Sequence, residues 1–361
     1  MSVSSVLFSA GTRSEMDLEL EPPLKKQRTI NTYLPDIDIW IDKIKSSDQN
    51  LSPVVSDEFN APIKLGKVYV GYIKNVQDIS KAVMTLNEKI PLKELQHLKR
   101  VKRQNIILCP ITSLNSETIQ EYIEKNVGEL KDIFDYFQVL EVPFTAPRVT
   151  KQYQETKKYW PCNFHPNHYW EKLVRNSFFT DHELVIHRTY MEVVMEIVKW
   201  HSNYLQIKLS DDGLQDINAS IVVDPDINSI VTIAFDHRQI HPLQHTAMIA
   251  IDNVARTQNG GVWDNNISDE LMIHLKEKFA INFGVRDSNK NSKEGPYLCT
   301  GYNLYILREP CHMCSMALVH ARTKRIFFCI ENQEKGALKS TVKLQTISSL
   351  NHHFEVFTGF L

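Results

Sequence analysis

The stretch GYNLYILREPCHMCSMALVHA, residues 301–321, decides the reading of this chain. Tyr302 to Leu307 has the apolar, β-branched and aromatic character of a strand. Pro310 ends it, and Cys311 to Ala321 has the apolar spacing of a helix. Cys311 and Cys314 therefore stand three apart at a helix start, where the turn points both sulfurs the same way. The first helical turn also favours thiolates electrostatically. Earlier in the chain, His245 sits in the apolar helix expected from His241 to about Arg256. One histidine and a Cys-x-x-Cys pair offer three soft ligands for a tetrahedral zinc. Taken singly these signals are weak, because a Cys-x-x-Cys pair also serves redox chemistry and a histidine on an apolar helix is commonly a core residue. Their order, each at a helix start after a strand or turn, points to zinc at His245, Cys311 and Cys314.

The surrounding pattern is α/β. A further strand follows from Arg325 to Ile330. Upstream, Thr180 or Asp181 can cap a helix carrying Leu184, Tyr190, Met191, Val194, Met195 and Val198. Ile221 to Val223, the turn Asp224-Pro225-Asp226 and Ile230 to Phe235 read as a hairpin. Residues 258–296, rich in Asn, Asp, Gly and Ser around one helix from Asp269 to Phe279, read as an insertion. These elements place a zinc-binding domain at 181–361. Residues 36–150 read as a smaller N-terminal α/β domain, with a ferredoxin-like arrangement as the expectation. Its strands are Val68 to Ile73, Asn105 to Pro110 and Phe137 to Val142. Its helices include one with Ile79, Val83, Met84 and Leu86, and another opening near Ser116. Residues 151–180, with Pro161 and Pro166, read as a linker, and 1–35 as a flexible tail. Pro22 to Arg28 in that tail is a short basic cluster after prolines, from which a nuclear as well as cytoplasmic location is expected.

The chain has 361 residues, 42% hydrophobic and 23% charged, with a net charge of −2. No apolar run approaches the roughly 18 residues of a membrane helix, so a membrane protein is not expected. No secretory leader is visible at Met1 to Ala10, and six cysteines are too few for a disulfide scaffold, so an intracellular location is the default. Charge is unevenly spread: residues 64–103 hold 10 Lys and Arg against 3 Asp and Glu. A helix read from Leu92 to Arg103 would carry Lys93, Lys99, Arg100, Lys102 and Arg103 as a phosphate-contacting surface. The alternative is a merely solvated face. Lys157 and Lys158, among Tyr153, Tyr159, Trp160, His165 and Trp170, have the mixture that grips RNA. The alternative there is that Trp160 and Trp170 anchor the linker.

The two metal motifs resemble the signature of zinc-dependent nucleobase deaminases, His-x-Glu followed by Pro-Cys-x-x-Cys, in all but the glutamate. The wider stretches DHRQIHPLQHTAMIAID (236–252), YLCTGYNLYILREPCHMCSMALVHA (297–321) and LNHHFEVFTG (350–359) resemble the non-catalytic subunits of eukaryotic tRNA wobble-adenosine deaminases. KKYWPCNFH (157–165) resembles the N-terminal extension of those subunits less specifically. The resemblance implies a cytidine-deaminase-like three-layer α/β/α domain. It also implies a heterodimer with a catalytic deaminase subunit, tRNA as a further partner, and conversion of adenosine to inosine at the anticodon wobble position.

The departure from the general pattern is Ala247, where an active deaminase has its proton-shuttling glutamate. A methyl group can neither take the proton of a zinc-bound water nor deliver it to the base. Thr246 should point away from the metal, and Glu309 lies before the proline with no reason to face a substrate. A pseudoenzyme subunit is the leading reading. The competing readings are an active deaminase with an atypical proton shuttle, and a zinc-stabilised RNA-binding or scaffold protein without a deaminase partner. The apolar end of the chain, Phe354, Val356, Phe357, Phe360 and Leu361, is expected either to fold over the metal or to pack against the sheet or a partner.

Overall fold

The computed structural model describes residues 37–46, 50–114, 116–205, 217–263, 267–286 and 298–359. The basic cluster Pro22 to Arg28, and Phe360 and Leu361, lie outside the described residues. In chain order the elements begin with α1 (Ile37–Lys45), β1 (Ser52–Pro53), β2 (Leu65–Ile73), α2 (Ile79–Lys89), β3 (Val101–Lys102) and β4 (Asn105–Pro110). There follow α3 (Ile119–Val127), β5 (Phe134–Pro143), α4 (Thr150–Tyr159), α5 (His168–Val174), α6 (Asp181–Leu205), β6 (Ala219–Asp224) and β7 (Ser229–Phe235). The rest are α7 (Thr246–Thr257), α8 (Asp269–Phe279), β8 (Asn282–Phe283), β9 (Asn303–Arg308), α9 (His312–His320), β10 (Arg325–Ile330) and β11 (Glu355–Thr358). No helix among the described residues is long and apolar enough to cross a membrane.

The N-terminal unit is βαββαβ. Its antiparallel sheet has the order β3-β4-β2-β5, the ferredoxin-like arrangement. Strand alternation sends Ile73, Ile106, Leu108 and Phe134 to one face, against Ala82 and Leu86 of α2 and Ile119 and Ile123 of α3. The start of α3 is closed by a capping box between Thr118 and Glu121, which satisfies orphan donors from both sides. The opposite face carries Val68, Val70, Ile107 and Val142, and it is covered too. Leu95, Leu98, Trp160 and Cys162 lie on it. Trp160 is 1% exposed and donates its indole N–H to the Lys99 carbonyl at 2.6 Å. It anchors the linker and is not available as a stacking surface.

The segment from Leu92 to Arg103 departs from the expected helix. Its amides bond three residues back, from Leu95 to Leu92 and from Leu98 to Leu95, and Leu98 then pairs across to Cys162. Leu95 and Leu98 must both reach the sheet face, and the chain must then turn into β3, so the helical period is abandoned. The β3–β4 hairpin turns at Arg103, which has φ 57°.

The C-terminal unit is a three-layer α/β/α sandwich around the sheet β1-β11-β10-β9-β6-β7-β8. β9, β10 and β11 run parallel, while β6 pairs antiparallel with both β7 and β9. Residues 304–307 are all buried because both sheet faces are covered. Tyr305 and Leu307 meet α6, α8 and α1 on one side. Leu304 and Ile306 meet α7 and α9 on the other. Within the expected insertion, α8 packs Leu271 and Leu275 into the first of these layers.

Residues 37–59 differ from the expected division. Ile37 and Ile41, one turn apart on α1, pack into the core beside α6, and β1 adds antiparallel to β11. The apolar spacing of α1 calls for a partner surface, and the C-terminal sheet supplies it. The stretch read as a linker holds α4 and α5, which tie the two units together. Gln152 donates to the carbonyls of Glu58 and Ala61, Trp170 stacks on Phe59 at 4.5 Å, and Tyr169 donates to Glu355 at 2.7 Å.

Candidate metal centre and basic surface

β7 and β9 end on the same edge of the sheet, which brings the two motifs together. His245 is the residue just before α7, with extended backbone. Cys311 holds the same position before α9, and Cys314 lies in its first turn. The ligand atoms of His245, Cys311 and Cys314 all lie within 4.8 Å of one another. Cys311 Sγ and His245 Nδ1 are 3.6 Å apart. A tetrahedron with metal–sulfur and metal–nitrogen bonds of about 2.3 and 2.0 Å has a sulfur–nitrogen edge of about 3.5 Å. The spacing therefore fits a zinc-sized ion.

The two thiols are pushed in opposite directions. The hydrogen bond from Cys314 is the main cause that holds Cys311 down to about 3, against the opposing effect of burial, with His245 helping. Donation to Cys311 and burial push Cys314 well up. Of the two, Cys311 is the sulfur the surroundings favour as a thiolate, the form that binds a cation.

Ala247 is 1% exposed and sits in the apolar layer with Ile249, Ala250 and Cys314. The hydroxyl of Thr246 has its one proton between Asp236 at 3.2 Å and the Asn218 carbonyl at 3.3 Å, so it points into the sheet. Glu309 is 2% exposed and faces the 332–340 loop. Its carboxylate accepts from the backbone N–H groups of Asn332, Leu338, Lys339 and Ser340 at 3.0, 2.9, 2.6 and 3.0 Å. It also accepts from the Ser340 hydroxyl. A Cβ on Gly336 would lie 2.1 Å from this carboxylate, so only glycine fits there. The same loop bridges Gly336 to Cys311 and donates from Ala337 to the Pro310 carbonyl. Sequence reasoning missed this anchor, and the isolated Gly336 was its one visible sign.

Glu355–Thr358 joins the sheet. Val356 and Phe357 enter opposite layers as part of β11, and Phe354 is buried beside them. A parallel strand has two covered faces to fill, and these residues fill them.

The basic candidates divide. Lys93, Lys99, Lys102, Arg103, Lys157 and Lys158 are exposed. Arg100 is not a surface residue. It is 8% exposed, and its guanidinium donates to Asn87 and to the carbonyls of Ile90, Ile107 and Leu108. Burial draws its pKa down to about 10, which leaves it charged at neutral pH and busy with the backbone. The fold also joins segments that are distant in sequence. Lys102 donates to the Tyr159 carbonyl at 2.9 Å and lies 5.6 Å from the Trp160 ring. The β3–β4 hairpin and the end of α4 thus form one cationic surface.

Residues 66–160 match the family model described as the tRNA-specific adenosine deaminase TAD3 N-terminal domain. Residues 190–330 match the cytidine and deoxycytidylate deaminase zinc-binding region. A probable inactive tRNA-specific adenosine deaminase-like protein 3 from Danio rerio is 30% identical over 360 residues, covering 95% of this chain and 97% of that protein. Its Homo sapiens counterpart is 29% identical, covering 86% and 89%. The tRNA-specific adenosine deaminase subunit TAD3 of Saccharomyces cerevisiae is 29% identical, covering 68% and 67%.

Proposed function

Because this chain belongs to the tRNA-specific adenosine deaminase-like protein 3 (TAD3) family, we propose that it is the non-catalytic subunit of a heteromeric tRNA adenosine deaminase. The observation that carries this reading is a three-ligand metal cluster with Ala247 at the shuttle position. His245, Cys311 and Cys314 would hold zinc, and a bound zinc would supply a tie between the starts of α7 and α9. The first turn of α7 contributes no acid or base. Glu309, the nearest carboxylate in sequence, is committed to the loop, and Thr246 to the sheet. Adenosine deamination needs a proton moved from water to the base and the leaving amine. A second subunit bearing the glutamate must therefore perform it.

In this reading the chain supports the catalytic subunit and holds tRNA. The hairpin–α4 surface, with Lys99, Lys102, Arg103, Lys157 and Lys158, offers phosphate contacts. Lys93 lies on the same exposed segment. The wobble position is the reaction site implied, and both nucleus and cytoplasm are the locations implied.

The test is to purify the chain alone and with a glutamate-bearing deaminase subunit, then measure zinc and inosine formation on a transcribed tRNA. About one zinc per chain, no inosine from the chain alone, and inosine from the complex are expected. Cys311→Ala should lose the zinc and lower the melting temperature, because a structural metal contributes folding energy directly. Full zinc retention in that variant would remove the proposed ligand set. Inosine formation by the chain alone would remove the non-catalytic role.

A further inference from the structure

A groove of about 780 Å³ lies where the two units meet. Half-buried Trp170, backed by the buried Phe59 and Phe354, forms its apolar floor, and Arg148, Arg322 and Lys324 stand on its walls. It is far from the metal centre. Lys324 precedes β10, and Thr300 and Gly301 precede β9, whereas Cys311 follows the other end of β9. A six-residue strand spans about 20 Å, so groove and cluster lie at opposite edges of the sheet.

The charges in the groove are unbalanced. Glu58 faces Arg148 at 3.2 Å, and Glu355 is taken by Tyr169 and Arg325. Lys324 is exposed and has no acidic partner within ion-pair distance among the described residues. Arg322 also lines the groove but is already engaged within the fold. The groove is also continuous with the basic surface already described. α4 begins two residues after Arg148 and ends in Lys157 and Lys158, beside Lys102. Ten helical residues cover about 15 Å, with exposed Lys151 on the way.

We propose that this groove binds a single-stranded segment of RNA, with backbone phosphates on Lys324 and Arg148 and a base against the half-buried Trp170. Cations beside an aromatic floor recognise unpaired nucleotides. A duplex, which hides its base faces, could use only the rim. The volume falls within the range of sites that take small organic groups, and junctions between domains are a preferred place for them. The inference rests on the reading of this chain as a tRNA-binding subunit, and it assigns that binding a second contact.

The experiment uses the complex of the full chain with its catalytic subunit. Affinity for a transcribed tRNA and for an eight-nucleotide single-stranded RNA is measured across a salt series. The variants are Lys324→Glu, Lys324→Gln, Arg148→Gln and Arg148→Lys, with Lys102→Glu/Arg103→Glu in the hairpin as reference. Lys324→Glu should weaken both RNAs about tenfold and lower the salt slope by about 1, with an unchanged melting temperature. Lys324→Gln and Arg148→Gln should show part of this loss, and Arg148→Lys should largely restore binding. If the hairpin variant weakens tRNA while the groove variants leave affinity and slope unchanged, the groove proposal falls and the tRNA reading stands. If neither set changes binding, both fall. Groove variants that shed the catalytic subunit with RNA affinity intact would assign the groove to protein and overturn the proposal.

Discussion

Replacing Glu309 with alanine tests whether the carboxylate beside the metal motif anchors a loop or moves protons. The structure gives it four backbone N–H donors and the Ser340 hydroxyl. Truncation leaves the Leu338 amide buried without a partner, which costs about 1–3 kcal/mol. The amides of Asn332, Lys339 and Ser340 are half-buried and regain water, so each loses only part of a charge-assisted bond. Together the change should cost about 3–5 kcal/mol. For a unit of this size that is a fall in melting temperature on the order of 10 °C. Because Gly336 and Ala337 of the same loop bond to Cys311 and Pro310, zinc should also escape faster to a chelator. Glu309→Gln keeps the shape and one acceptor oxygen but turns an amide donor toward other donors, so its effect should be intermediate. Calorimetry, zinc release and inosine formation by the complex below both melting temperatures separate the two roles. A Glu309→Gln complex that melts normally yet forms no inosine would refute the anchor and make the carboxylate a proton carrier. An unaltered melting temperature in Glu309→Ala would refute it as well.

Three further outcomes are expected. Ala247→Glu, added to a complex whose catalytic subunit has lost its glutamate, should not restore inosine formation, because position 247 is closed within an apolar layer. Recovery of more than a small fraction of the normal rate would show an intact site lacking one residue. Arg100→Ala should destabilise the N-terminal unit by about 2–4 kcal/mol, since it orphans the buried carbonyls of Ile90, Ile107 and Leu108. Reversing Lys99, Lys102 and Arg103 should instead leave urea unfolding unchanged and lower tRNA affinity and its salt slope. The opposite pattern would reverse the assignment. Burial pulls His187 and His201 down to about 4. The unfolded chain therefore takes up protons near pH 6.5 while the folded chain does not. Stability from these histidines is full above about pH 6.5 and is lost as pH falls toward 4, by about 3 kcal/mol each. Urea midpoints at pH 7.5 and 5.0 should show the fall, and His187→Gln should flatten it. A flat profile in the unaltered protein would contradict their burial as neutral groups.

The metal motifs were legible because ligand chemistry restricts both residue type and spacing. Cys311 and Cys314 need one helical turn, and His245 needs a second helix start. Ala247 was legible only against the deaminase signature, which has a glutamate at that position. Strand and helix identity in the core followed from period, since Leu304 to Leu307 or Leu271 and Leu275 have no other use for their apolar side chains. The ferredoxin-like expectation followed from the succession of those elements, whereas the three layers were what the deaminase resemblance implied and the strand order came from the fold.

Tertiary structure decided what depends on a partner distant in sequence. The apolar positions Ile37 and Ile41 are visible along the chain, but nothing local says that their surface is α6, across 140 residues and more. Arg100 sits in a basic run, and its neighbours Lys99 and Lys102 face water while it turns inward, because a guanidinium can satisfy several carbonyls at a crowded sheet edge. Trp160 is an aromatic among lysines until the open face of a small sheet claims it. Glu309 and Gly336 make sense only as a pair, a carboxylate and the one residue without a Cβ to collide with it. Sequence carries the period of an element and the identity of a ligand. Which face of which element fills which gap is settled by close packing, and packing is a property of the assembled chain.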